Sequence, residues 1–235
     1  MTKPVYKRVI IKLSGEALAG EKGSGIDEKV LSKVVDQIIQ IKRLGVEVGI
    51  VVGAGNFWRG RQGSDMDRTT ADHMGMLATL MNALAIQDAC EKKGESTRVQ
   101  AALTITRVAE PYILRKALTH FEKGRIVIFA CGTGNPYFTT DTAAALRAAE
   151  IGADVLLLAK NVDGIYDSDP KTNSNAVKLD KINYSDYIKM GLKAMDTTAI
   201  TICMENKIPV LAFGLFENNS LTRAVSGENI GTLIK

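Results

Sequence analysis

The apolar run Ile126, Val127, Ile128 and Phe129 stops on Cys131-Gly132-Thr133-Gly134-Asn135-Pro136, and an alanine-rich helical segment opens after Thr139, Thr140 and Asp141. Glycine and the Asn-Pro pair end helix and strand alike. Residues 126–149 therefore read as strand, glycine turn, polar helix start, helix. That order aims backbone N–H groups and the positive end of a helix at the turn, which suits phosphate. Asp141 at the same helix start would repel phosphate unless a cation stands between them. The segment thus asks for a lysine partner or a metal–nucleotide complex.

The same grammar recurs along the chain. Residues 5–13 form a β-rich run ending in Lys12-Leu13-Ser14-Gly15, and residues 46–52 form another ending in Gly53-Ala54-Gly55-Asn56. Residues 154–159 are followed by Lys160-Asn161-Val162-Asp163-Gly164. Further strands are expected over 97–103, 208–213 and 230–234. Between them, Val30, Leu31, Val34, Val35, Ile38, Ile39 and Ile41 repeat at helical spacing behind Asp27, a good N-cap, up to Gly45. A stripe of Met74, Leu77, Met81, Leu84 and Ala85 predicts a third helical unit from Thr70, with this face in the core. Pro111 fits the first turn of a helix ending at Gly124. Ser185 and Asp196 read as starts of short helices, and residues 220–226 as another. Gly15, Gly20, Gly23 and Gly25 make residues 15–25 read as a mobile loop.

Continuously apolar strands alternating with helices indicate a parallel sheet covered on both faces. Ligands bind such sheets beyond the carboxyl ends of the strands, where the glycine turns collect. The chain, 235 residues long, suits a single domain over 1–235 that buries roughly 70–75% of its unfolded surface. Its net charge of +4 is spread over mixed signs. That is too dispersed for a nucleic-acid footprint but compatible with small anions. No apolar run nears the ~20 residues of a membrane span. Cys90, Cys131 and Cys203 lie apart with no CxxC pair and read as buried, reduced thiols of a cytoplasmic protein.

Several chemistries are excluded. Neither glycine turn completes a GxGxxG fingerprint, and there is no P-loop, HExxH, paired Cys/His set or GxSxG elbow. His73 and His120 are the only histidines, and His73 beside Asp72 reads as a local structural residue. Lys12 remains: a lysine in an apolar strand is costly to bury, so it is expected to point into the site. At ~4 Å an ammonium gains roughly 4 kcal/mol from a phosphate charge at an effective dielectric near 20. A helix terminus supplies only ~0.3–1 kcal/mol. Arg59 offers a fork for a second phosphate.

Taken together, Lys12-Leu13-Ser14-Gly15, the Gly53 to Arg59 turn, Asp72-His73-Met74-Gly75-Met76 and the Gly132 to Asp141 segment resemble the amino-acid kinase superfamily. Within it they are most similar to the bacterial uridylate (UMP) kinase family. Val162-Asp163-Gly164-Ile165-Tyr166 and the Met195-Asp196 pair agree. The resemblance implies a three-layer α/β sandwich and phosphoryl transfer from MgATP to UMP. It implies that Lys12, Leu13, Ser14, Gly15, Gly55 and Arg59 hold the ATP phosphates, and that Asn161, Tyr166 and Asp169 hold the adenosine. UMP would meet Ala54, Asp72, Thr133, Gly134, Asn135, Pro136, Tyr137, Phe138, Thr139 and Thr140, with Asp72 on a ribose hydroxyl. Asp141 would organise the lysines and Mg²⁺, making Lys12 and Asp141 the catalytic pair. The resemblance also implies a cytoplasmic homohexamer, activated by GTP through Gly20, Glu21, Lys22, Gly23, Ser24 and Gly25 and inhibited by UTP. Two rivals are another acceptor within the superfamily (carbamate, acetylglutamate or aspartate) and a non-catalytic nucleotide-binding protein. The second would not need Lys12 and Asp141 together.

Overall fold

A computed structural model describes residues 3–58, 65–168, 170, 172–173 and 175–235. The first strand, β1 (Arg8–Leu13), lies mid-sheet between β2 (Glu47–Val52) and β6 (Val155–Lys160). Outward from β2 come β5 (Ile126–Ala130), β3 (Thr97–Ala101) and the short β4 (Glu110–Pro111). Outward from β6 come β10 (Val210–Gly214), β11 (Gly231–Ile234) and β9 (Lys181–Ile182). Only the β10–β11 pairing in this sheet is antiparallel. A separate antiparallel hairpin, β7 (Ile165–Tyr166) with β8 (Lys178–Leu179), is formed from the polar stretch after β6.

The strands are continuously apolar because both faces are covered. Successive side chains alternate: Val9, Ile11 and Leu13 enter one core with α2 (Glu28–Arg43), α3 (Arg68–Lys92) and α8 (Ser220–Val225). Ile10, Leu156 and Leu158 enter the other with α4 (Leu114–Glu122), α5 (Thr140–Ile151), α6 (Tyr184–Lys189) and α7 (Thr197–Glu205). This is the expected three-layer, mainly parallel α/β sandwich. The alanines of α5, Ala143, Ala144, Ala145 and Ala148, are buried to 1% exposure or less, so that helix lies close against the sheet.

Several local expectations are corrected. Gly15–Ala19 is a helix, α1, followed by a 3-10 turn over Gly20–Lys22, not a continuous loop. Pro111 lies in β4 and the helix starts at Leu114, because the chain first adds an edge strand beside β3. The Met74, Leu77, Met81 stripe faces outward, 36%, 48% and 52% exposed, while Met76, Leu80, Ala83, Ile86 and Cys90 fill the core. Asp27 caps α2 as expected, accepting from Lys29 N and Val30 N. Asp196 does the same for α7 through Ala199 N. The cap of α6 is Asn183, so that helix opens at Tyr184 rather than Ser185.

Candidate functional site

Parallel register puts the ends of β1, β2, β5 and β6 at one rim. Gly15 and the β2 turn meet there with no room to spare. A Cβ on Gly15 would lie 2.6 Å from Asn56 Oδ1 and 2.7 Å from both Gly53 O and Gly55 N. Only hydrogen fits, so glycine at 15 sets the distance between two turns that face the same ligand space.

Lys12 is on the α5 side of the sheet, and its Nζ sits 2.6 Å from Asp141 Oδ1 in the first turn of α5. The two side chains are 13% and 17% exposed, so the pair is shielded yet reachable. Alternation along β6 puts Lys160 on the same face as Leu156 and Leu158, hence beside Lys12. The Lys160 ammonium donates to the Ala194 carbonyl. Burial pushes its pKa below the usual lysine range; Asp141 opposes that shift and Lys12 adds to it.

The start of α5 differs from the sequence picture of open amides. Thr139 Oγ1 accepts from Asp141 N (3.1 Å) and Thr142 N (3.2 Å). The hydroxyls of Thr139 and Thr142 both donate to Asp196. These first-turn amides are capped within the protein, so the cations carry the positive character of the rim.

Helix α3 props the two glycine turns from below. Asp72 Oδ2 accepts from Tyr137 N at 2.7 Å and from Arg68 Nε at 2.8 Å. Thr79 Oγ1 accepts from Cys131 N at 2.9 Å. Asn82 Nδ2 donates to Gly53 O at 2.8 Å. Cys131 (φ 65°) and Tyr137 (φ 72°) hold left-handed backbone that costs a non-glycine residue roughly 1–2 kcal/mol. The bonds from Thr79 and Asp72 pin them there.

Two cavities flank the Lys12–Asp141 pair. One, of about 240 Å³, is lined by Ala54, Gly55, Trp58, Asp72, Thr79, Gly132, Thr133, Asn135, Phe138, Thr139 and Thr140, among others. It gathers most of the residues expected to meet UMP. Trp58 is fixed in its wall by a 2.9 Å bond from Nε1 to Ala71 O. Gly134, Pro136 and Tyr137 are outside this lining; Arg68 stacks over the Tyr137 ring at 5.2 Å. The second cavity, about 500 Å³, is bounded by Lys160, Gly164, Tyr166, Asp167, Met190, Leu192 and Ala194. Tyr166 fits the adenosine-side expectation, whereas Asn161 is exposed and outside the lining, with Lys160 in its place. Leu13 is buried in the core, leaving only its backbone for a ligand. Arg59 and Asp169 lie outside the described residues.

Residues 7–213 match the sequence profile of the amino acid kinase family. The chain belongs to the amino acid kinase family. Among solved structures it is similar to UMP kinase from Bacillus anthracis, with a TM-score of 0.95 and 39% identity over 98% of this chain and 96% of that one. UMP kinase from Ureaplasma parvum gives 0.92 and 38% over 97% and 98%. Uridylate kinase from Archaeoglobus fulgidus gives 0.73 and 28% over 97% and 99%. In this amino acid kinase, sequence reasoning missed Lys160, Thr79, Asn82 and the Asp196 link to α5. Only Lys160 carried a signal: a lysine closing an apolar strand, as Lys12 nearly does.

Proposed function

We propose that the chain is a UMP kinase, transferring the γ-phosphoryl group of MgATP to UMP to give UDP and ADP, in the supply of pyrimidine nucleotides for CTP. The observation that carries the reading is the Lys12–Asp141 ion pair at the rim between two cavities. The 39% identity to a UMP kinase over nearly the whole chain supports it. UMP would occupy the Asp72–Thr140 cavity, with Asp72 at a ribose hydroxyl and the residue 133–140 turn around the phosphate. ATP would lie over Lys12, Ser14, Gly15 and Gly55, its adenosine toward Tyr166, with Arg59, Asn161 and Asp169 as further contacts.

The acceptor is already an anion at neutral pH, so no strong base is required. Catalysis rests on in-line positioning and on neutralising charge spread over the transferred group. Lys12 supplies that neutralisation, and Lys160 adds a second ammonium on the same face. Asp141 holds Lys12 extended toward the phosphates. No group of three or more His, Cys, Asp or Glu among the described residues could hold a metal alone. This fits Mg²⁺ carried by the polyphosphate, with Asp141 the nearby carboxylate, since Mg²⁺ commonly binds through one or two carboxylates plus phosphate. When bound, the ion neutralises polyphosphate charge.

The reading extends to a cytoplasmic homohexamer, activated by GTP at residues 20–25 and inhibited by UTP. The outward Met74, Leu77 and Met81 of α3 support self-association, and three free, buried cysteines suit a reducing compartment. The decisive experiment measures ADP formation with UMP, CMP, dUMP and no acceptor, with and without Mg²⁺. UMP- and Mg²⁺-dependent ADP release is expected. Turnover with acetylglutamate, carbamate or aspartate in its stead, or ATP binding without turnover, would refute it.

A further inference from the structure

The β2 turn is held by a buried amide clasp. Asn56 and Asn82 are 3% and 0% exposed. Asn56 Nδ2 donates to Asn82 Oδ1 at 2.9 Å, and Asn82 Nδ2 donates back to Asn56 Oδ1 at 2.7 Å. The second proton of each amide is also used. Asn82 Nδ2 reaches Gly53 O at 2.8 Å, and Asn56 Nδ2 reaches Gly25 O at 2.7 Å. Four donors and two acceptors are thus matched inside the protein, an arrangement that tolerates little displacement.

The clasp determines which side of the turn faces the ligand space. Three carbonyls of the turn are drawn inward: Gly53 O by Asn82, Ala54 O by Phe57 N and Trp58 N (both 2.9 Å), and Asn56 O by Gly25 N (2.9 Å). A carbonyl oxygen aimed at a polyphosphate would repel it. Withdrawing these oxygens turns the amide edges of the peptides toward the rim. The Gly25–Asn56 contact is also double, running N–H to O in both directions through backbone and side chain. The end of the glycine-rich segment after α1 is therefore tied to the same turn.

We propose that Asn56 and Asn82 are positioning residues, a clasp that presents the Gly53–Gly55 turn to nucleotide phosphate and transmits displacement of Gly25 to it. The inference deepens the phosphoryl-transfer reading and rests on it for the ligand. Asn82→Asp changes no volume but replaces the donor to Gly53 O with an oxygen, so the turn is pushed from its pose. ATP affinity, by titration calorimetry, should fall about tenfold while adenosine affinity stays within about twofold. Hydrogen exchange should quicken at residues 53–56 and at 23–25 together. A folded Asn82→Asp protein with unchanged ATP affinity overturns the positioning role, since a merely structural residue would lower Tm alone. Faster exchange at 53–56 without change at 23–25 overturns the coupling. Should that variant not fold, Asn82→Ala and Asn56→Ala are judged by the same criteria. In the unmodified protein ATP should slow exchange at both segments at once, and protection of 53–56 alone overturns the coupling without any variant. A protein that binds ATP but leaves UMP unphosphorylated refutes the kinase reading, while these affinities and exchange rates still decide the clasp.

Discussion

Replacing Lys12 by Met removes the ammonium while keeping an unbranched apolar stem in β1. The Nζ now lies 2.6 Å from Asp141 Oδ1, with both side chains largely shielded. A phosphate oxygen at ~4 Å from that ammonium is worth roughly 4 kcal/mol at an effective dielectric near 20. If this is expressed mainly in the transition state, kcat falls about 10³-fold, at roughly 1.4 kcal/mol per decade. The variant also leaves Asp141 facing the nucleotide uncompensated, which adds repulsion. Lys160 offsets part of it from the same face. Removing one partner of a buried pair costs about 3–5 kcal/mol. This pair opens to the rim, so about 3 kcal/mol is expected, or a Tm drop of roughly 6–12 °C. The double variant Lys12→Met, Asp141→Asn separates the two effects. It should regain most of the lost Tm and none of the lost kcat. The assays are coupled ADP release at saturating ATP and UMP, and calorimetric melting of all four proteins. A Lys12→Met enzyme within tenfold of the parent kcat would remove the ammonium from the mechanism. A double variant no more stable than the single would show that Asp141 is not held as a charge partner.

Other outcomes follow from the same geometry. Gly15→Ala puts a methyl within 2.7 Å of backbone atoms of Gly53 and Gly55. It should cost about 1–3 kcal/mol in chemical denaturation and weaken ATP binding, because the two turns must part; a parental midpoint would refute the close approach. Asp196→Ala removes the α7 cap and the acceptor for the Thr139 and Thr142 hydroxyls. A loss of about 2–4 kcal/mol is expected, with kcat reduced through misplacement of Asp141, and Asp196→Asn should retain more of both. Burial pushes the Cys90 thiol up to about 11 and the Cys203 thiol to about 12, from 9.0. The folded chain therefore keeps protons that the unfolded chain releases above pH ~9, and stability falls as pH rises from there toward 11–12. At pH 10 the two thiols should together cost about 2 kcal/mol relative to pH 8, read from urea midpoints, and a Cys90→Ala, Cys203→Ala protein should show a shallower decline.

The sheet was legible because its signals are local. Continuous apolar runs closed by glycine turns identify the strands, and Asp27 marks the start of α2 through its own side chain. The α1 segment was not legible: Gly15–Ala19 is helical because Gly15 and Leu18 pack against neighbours remote in sequence, while four glycines argue for a loop. The orientation of α3 was equally hidden. Apolar residues occur on both of its sides, Met76, Leu80 and Ile86 inward and Met74, Leu77 and Met81 outward, so periodicity cannot choose between faces. Lys12 could be singled out because an ammonium in an apolar strand is costly, yet its pairing with Asp141 appears only once α5 is laid over β1. Asn82 gave no signal, since an asparagine in a long helix becomes informative only when Gly53 O and Asn56 arrive beside it.

The helix start that looked like the anion site is, in the folded protein, closer to an anionic post. Thr139 takes the first amides of α5, and two carboxylates, Asp141 and Asp196, stand at that end. A helix dipole supplies the equivalent of about half a positive charge, less than either carboxylate removes. Phosphate therefore cannot be held chiefly by α5. It must be drawn by Lys12 and Lys160 at the ends of adjacent strands, and by the inward-turned carbonyls that leave amide edges on the β2 turn. Asp141 then has a definite task. It keeps an otherwise mobile ammonium extended at the rim between the two cavities, so little side-chain freedom is left to lose when a nucleotide arrives. Moving the carboxylate away would not strengthen phosphate binding by relieving repulsion; it would release the cation that makes binding possible.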